Sequence, residues 1–250
     1  MTFWEGVLVV LAGIWAGTIN TVVGSGTLVS FPVLIGIGIP PVTANVANSV
    51  GLFPGSFVGA YGYRRELVGQ RRRIMTLGLA SAIGAAIGAV LLLELPPDAF
   101  RAVVPVLIVL ALVLVVFGKR ITAWLTSRGH EPSVEITPVL WGLVLGTGIY
   151  GGYFGAAQGV LLMAFMGLFL ADTLQRQNGL KNVLAGLTNF VAAIVFVATT
   201  DVYWTAALLI AVGSVLGGLL GAKIGRRLSP TVLRATIVVV GVAAIVKLVL

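Results

Sequence analysis

Long runs of apolar residues, cut by short polar stretches, repeat along the chain from one end to the other. Ten apolar elements can be marked, at about 4–23, 27–39, 43–63, 75–93 and 101–118, then 138–153, 158–171, 178–199, 204–222 and 232–249. The long runs do not alternate with a period of two, which argues against barrel strands. They fit helices that satisfy their own backbone in lipid.

The second and seventh elements are short. Thirteen or fourteen helical residues reach about 20 Å, against a hydrocarbon core of about 30 Å. Each follows a polar, glycine-rich break. The first break is Asn20-Thr21-Val22-Val23-Gly24-Ser25-Gly26-Thr27, and the second runs from Tyr150 through Gly155-Ala156-Ala157-Gln158 to Gly159. Non-helical backbone at membrane depth is tolerated only against protein or a watery cavity. The pattern therefore predicts two broken or re-entrant hairpins that enter from opposite faces and meet near the midplane. Such paired interruptions point to a transport site, where free N–H groups at a helix start favour an anion.

Charge assigns the sides. Arg64, Arg65, Arg71, Arg72 and Arg73 place the loop after the third element in the cytoplasm, as do Lys223, Arg226 and Arg227 for the loop after the ninth. The loops at Glu94–Arg101 and Asp201 belong outside. With one crossing per long run, the two halves share an order of elements but run in opposite directions. The fold expected is an all-α polytopic membrane protein of two inverted-topology repeats, each a broken or re-entrant hairpin followed by three transmembrane helices. The first repeat covers 1–118, a cytoplasmic linker 119–137, and the second repeat 138–250. An ungapped shift of 133 residues matches Gly13 with Gly146, Gly26 with Gly159 and Asn45 with Asn178. The chain is expected in a prokaryotic plasma or inner membrane, multi-pass, with both termini extracytoplasmic.

Composition agrees. Of 250 residues, 58% are hydrophobic and 10% charged, where a soluble domain carries roughly a quarter charged residues; mean hydropathy is +1.09. The net charge of +8 resides mostly in short loops, so it sets orientation rather than marking nucleic acid. There are no cysteines, which removes disulfides and thiolate metal sites. The opening MTFWEG lacks the basic start of a secretory signal, so the first apolar run is expected to stay. His130, the single histidine, lies in the linker. No metal or cofactor is expected. Glycine pairs such as Gly84–Gly88 and Gly213–Gly217 read as helix-packing positions.

Lys181 stands out as a basic residue inside an apolar element, about one turn into the eighth, beside Asn178 and Asn182. It can neutralise an anion, or extend to the interface. Asn45, Asn48 and Ser49 occupy the matching place in the third element. Asn20, Thr21, Gly24, Ser25, Gly26 and Thr27 from one break, with Tyr150, Tyr153, Gln158 and Gly159 from the other, complete the candidate substrate shell. All eight carboxylates fall in loops or at element ends, which argues against a buried-carboxylate proton relay.

The run Gly24-Ser25-Gly26-Thr27-Leu28-Val29-Ser30-Phe31-Pro32-Val33-Leu34, followed by Ala44-Asn45-Val46-Ala47-Asn48-Ser49, resembles the first signature of the TauE/SafE family of membrane permeases. Gly155-Ala156-Ala157-Gln158-Gly159-Val160-Leu161, followed by Asn178-Gly179-Leu180-Lys181-Asn182, resembles the second. The resemblance covers nearly the whole chain. It implies export or exchange of sulfite, sulfonates or related small sulfur-containing anions. Ala156, Ala157 and Gln158 stand where that family commonly has glycines. The leading expectation is a secondary transporter working by alternating access. The alternatives are an intramembrane enzyme using Ser49 and Lys181 as nucleophile and base, and a small-anion channel. The partners expected are a small anion and the lipid bilayer, with no nucleic acid and with a homodimer left open.

Overall fold

The computed structural model describes residues 1–126 and 133–224, with Val239 and Val242. Arg226, Arg227, His130 and, apart from Val239 and Val242, the tenth apolar element lie outside the described residues. Within them the chain forms nine helices: α1 (Phe3–Val22), α2 (Thr27–Gly36), α3 (Pro41–Gly62), α4 (Arg71–Glu94), α5 (Pro97–Thr126), α6 (Pro138–Tyr153), α7 (Gln158–Phe169), α8 (Leu174–Thr199) and α9 (Trp204–Ile224). Among the described residues, five stretches are long and apolar enough to cross a membrane: Phe3–Val22, Arg71–Glu94, Asp98–Phe117, Leu174–Thr199 and Trp204–Lys223. The protein is an all-α, multi-pass membrane protein.

Helix starts follow capping chemistry. Thr2 and Glu5 form a capping box on α1, with the Thr2 hydroxyl accepting from Glu5 N at 3.3 Å and the Glu5 carboxylate accepting from Thr2 N at 2.6 Å. Thr137 and Thr173 cap α6 and α8. Four boundaries differ from the sequence expectation by four residues or more; one is the start of α5, at Pro97 rather than 101. Helix α4 begins at Arg71, and Arg73 in its first turn is held by Asp172 and Val134 O. Helix α8 begins at Leu174, so Lys181 lies two turns into the helix. Helix α5 continues past residue 118 to Thr126, so the linker begins within a helix.

Both breaks end their first helix in the same way. Val23 N and Gly24 N both donate to Ile19 O, at 2.7 and 3.0 Å; Phe154 N and Gly155 N both donate to Tyr150 O, at 2.9 and 3.0 Å. Gly24 and Gly155 adopt φ of 85° and 74°, the left-handed turn that glycine permits at a helix end. This pairing, Val23 with Phe154 and Gly24 with Gly155, is two residues off the ungapped 133-residue register. The second hairpin begins and ends on one face of the molecule. Ser133, just before α6, receives from Ala171 N at 2.8 Å and donates to Phe169 O at 3.1 Å, at the end of α7.

Two close helix crossings carry the packing. Helix α1 lies on α9, and α4 on α6. A Cβ on Gly213 would come within 2.4 Å of Val10 O, and one on Gly217 within 2.0 Å of Ile14 O. In the other crossing, a Cβ on Gly84 would come within 2.3 Å of Leu145 O, and one on Gly88 within 2.0 Å of Ile149 O. In lipid, association rests on such backbone approach. Thr18 Oγ1 to Gly217 O (3.1 Å) and Ser214 Oγ to Gly51 O (2.8 Å) add interhelical hydrogen bonds, worth about 0.6 kcal/mol each on average. Helix α3 packs against α8 and α9, and α4 against α8, so the two breaks are enclosed.

Candidate functional site

The tips of the two breaks touch. Gly159 N donates to Gly24 O at 2.9 Å. A Cβ on Gly24 would stand 2.3 Å from Gly159 Cα, and one on Gly159 would stand 2.4 Å from Gly24 Cα. Glycine is required on both sides because each faces main chain, which cannot move aside as a side chain can. Gly26 folds back on α1, where a Cβ would meet Ala16 O at 2.5 Å.

A broken helix leaves carbonyls without intrahelical partners, and burial makes that costly. At the end of α1 the partners come from α8. Lys181 Nζ donates to Asn20 O and Thr21 O, both at 3.0 Å. Asn182 Nδ2 donates to Thr21 O at 3.2 Å and Asn178 Nδ2 to the same oxygen at 3.4 Å. Residues 178, 181 and 182 share one helical face, and that face meets the end of α1. Lys181 is 0% exposed. It does not extend to an interface. Among the described residues no carboxylate forms an ion pair with it, so its charge is met by carbonyl dipoles and the negative end of α1. Its chain passes the junction, with Cδ 3.0 Å from where a Cβ of Gly159 would lie.

At the end of α6 the partner comes from α3: Asn45 Nδ2 donates to Tyr153 O at 2.8 Å. Each break is thus held by a helix from the other half of the chain. Asn48 serves the first hairpin, donating to Thr27 Oγ1 at 3.2 Å and accepting from Ser30 Oγ. Gln158 Nε2 donates to Thr188 Oγ1 at 2.8 Å, and its amide packs on Gly151. Asn20 Nδ2 donates to Ser56 Oγ at 2.9 Å. The Tyr150 hydroxyl donates to Ala156 O across its own break.

Two candidates take a different place. The Tyr153 ring turns to Phe100, with centroids 5.6 Å apart, so its backbone rather than its phenol joins the site. Ser49 is buried on α3, and no hydrogen bond joins it to Lys181. Ser30, Ser56 and Thr188 belong to the network but were not singled out by the sequence; each lies on a helix interior beside an amide from a distant element. Four buried oxygens near the breaks lack a partner: Thr21 Oγ1, Ser25 Oγ, Asn45 Oδ1 and Asn178 Oδ1. Phe31, Phe100 and Phe154 pack edge to face beside the second break, with centroids 5.1 to 6.4 Å apart.

A second polar cluster lies where α4 and α8 begin. Asp172 pairs with Arg73 and with Arg176, the latter at 2.8 Å. Arg176 also donates to Val68 O at 3.0 Å and Arg73 to Val134 O at 2.9 Å. Burial raises the Asp172 pKa, but the Thr173 N–H, Arg176 and Arg73 outweigh it and hold the carboxyl below its ordinary value. A cavity of about 730 Å³ opens here, lined in part by Arg72, Arg73, Trp141 and Arg176.

No group of histidine, cysteine or carboxylate side chains among the described residues could hold a metal ion. The site is a polar junction of two broken helices around a buried lysine, within a bundle long enough to span lipid, which is the build of a membrane transporter. Residues 9–248 match the family described as Sulfite exporter TauE/SafE, and the chain belongs to that family. It is similar to the probable membrane transporter protein ORF9 of Sinorhizobium sp., 28% identical over 243 residues, covering 95% of this chain and 90% of the relative. It is also similar to the probable membrane transporter protein of Haemophilus influenzae, 23% identical over 239 residues, covering 95% and 91%. The probable membrane transporter protein YfcA of Escherichia coli K12 is 24% identical over 237 residues, covering 93% and 85%. No solved structure matches the chain significantly.

Proposed function

We propose that the protein exports or exchanges a small sulfur-containing anion, such as sulfite or a sulfonate, across a prokaryotic cell membrane, by alternating access of two inverted halves. The observation that carries this reading is Lys181: a fully buried lysine on a membrane helix, without a carboxylate partner, beside the contact of two broken helices. A buried cation of this kind is costly unless compensated. Two carbonyls compensate part of it, and among the described residues no third carbonyl takes the remaining N–H of Nζ. An anion supplies the remaining partner. Ser25 and Thr21, whose buried hydroxyls have no partner, line the first break and can donate to an oxyanion once the junction opens.

The symmetry of the packing supports two inverted halves. Exchanging α1 for α6 and α9 for α4 maps one glycine crossing onto the other, and the two breaks share one hydrogen-bond pattern. The second hairpin returns to the arginine-rich end, which the charge rule puts in the cytoplasm. Both termini then lie outside. A closed Gly24–Gly159 junction fits a carrier that opens to one side at a time better than a channel. The enzyme reading needs Ser49 against Lys181, and Lys181 is engaged with Asn20 and Thr21 instead. Export of an anion is favoured by a negative-inside potential, about 2.3 kcal/mol per charge per 100 mV.

The test is flux of sulfite, thiosulfate, sulfoacetate, taurine and sulfate through purified protein in liposomes. Saturable movement of at least one oxyanion, chemically unchanged and abolished in Lys181→Met, is expected. Flux that does not saturate, conversion of the anion, or full activity of Lys181→Met would contradict the proposal.

A further inference from the structure

The oxygens around Lys181 resemble the surroundings of a free ion. Asn20 O and Thr21 O face Nζ at 3.0 Å, and among the described residues no carboxylate pairs with it. Both are neutral oxygens, and they lie at the C-terminal end of a broken helix, where the peptide dipoles leave partial negative charge. Neutral oxygen donors at such an end are what a transporter offers to a small monovalent cation. Here α8 inserts its own cation instead. Arg73 and Arg176 are engaged elsewhere, with Asp172 and loop carbonyls, and do not reach this cluster.

We propose that the Lys181 ammonium is a tethered substitute for a free monovalent cation, and that the oxygens it occupies bind sodium or a small alkylammonium ion once its side chain is shortened. The intact protein then has its cation built in. The charge that links the end of α1 to α8 neither enters nor leaves with the transported solute.

Chemical rescue tests this without reference to any anion substrate. Thermal unfolding of the purified protein is followed in chloride salts of sodium, n-propylammonium and tetramethylammonium at equal ionic strength. Propylammonium restores the atoms removed by Lys181→Ala, whereas tetramethylammonium has no N–H to donate. Lys181→Ala is expected to unfold earlier in tetramethylammonium and to recover by about 2–4 °C in propylammonium or sodium. The intact protein shows no difference among the three salts. Lys181→Gln, which keeps an N–H donor and leaves room for an ion, supplies the same reading should the alanine variant not fold, and it is expected to gain in sodium. Lys181→Met fills the space and is expected to gain in none. Failure of both Lys181→Ala and Lys181→Gln to gain over the intact protein would overturn the proposal, as would a sodium-dependent gain by the intact protein.

Discussion

The two breaks share a backbone and differ in chemistry. Each ends its first helix with a pair of N–H groups on one carbonyl and a left-handed glycine, Gly24 or Gly155. Each is held from the opposite half, by α8 in one case and α3 in the other. The first break is held by an ammonium and two amides, from Lys181, Asn178 and Asn182. The second is held by the single amide of Asn45, and the Tyr150 hydroxyl closes its own loop. Positive charge is therefore confined to one side of a nearly symmetric frame. A helix end needs only donors, which amides supply; a lysine adds a charge that is costly at that depth, and the proposed anion site is what would use it.

The largest effect is expected where the tips touch. Gly24→Ala places a methyl against Gly159 Cα and also forces alanine into a left-handed φ, whereas Gly159→Ala meets only the contact. Both should reach or exceed the about 1–3 kcal/mol typical of overpacking, with Gly24→Ala the worse. Unfolding of the purified variants measures this, and near-native stability for both would show that the tips are not in contact.

Stripping each break of its partner sharpens the comparison. Lys181→Met leaves Asn20 O without its donor and should cost about 2–3 kcal/mol; Asn45→Ala leaves Tyr153 O and should cost about 1–2 kcal/mol. Anion affinity should vanish only in the first. Equal loss of affinity in both would place the anion between the breaks rather than on the charged side.

The smallest effect lies at the arginine-rich end. Because Asp172 is held below its ordinary pKa in the folded protein, its stabilisation is complete above the unfolded carboxylate value, about 3.9, and is lost as pH falls through the lower folded value. Asp172→Asn should lower stability by about 1 kcal/mol at neutral pH and flatten that acid dependence. An unchanged acid profile would assign it to other groups.

Much of this frame could be read from residue order. Glycine and polar residues before two short apolar runs announce the breaks, because they come as a pair in matching places, unlike the glycines scattered along the long helices for packing. Lys181 was visible as a charge inside a span. Its partners were not, because they are main-chain carbonyls about 160 positions earlier, and every residue has a carbonyl. The start of α8 was hidden by Gln175, Arg176 and Gln177, which read as loop but lie on a helix; Arg176 pairs with Asp172 and Gln177 donates to Leu170 O at 3.0 Å. The match of the halves was blurred for a similar reason. Common membrane residues align by chance at 133, and only the hydrogen bonds fix Gly24 against Gly155.

The central claim is that two broken hairpins enter from opposite faces and meet tip to tip. The chain has no cysteine, so single introduced thiols test this cleanly. Pro40→Cys, in the turn after α2, and Ala171→Cys, after α7, are both at exposed positions. Labelling of intact cells with a membrane-impermeant maleimide is predicted to modify Pro40→Cys and spare Ala171→Cys, with the reverse in inverted vesicles. Modification of both from the same face would contradict the account.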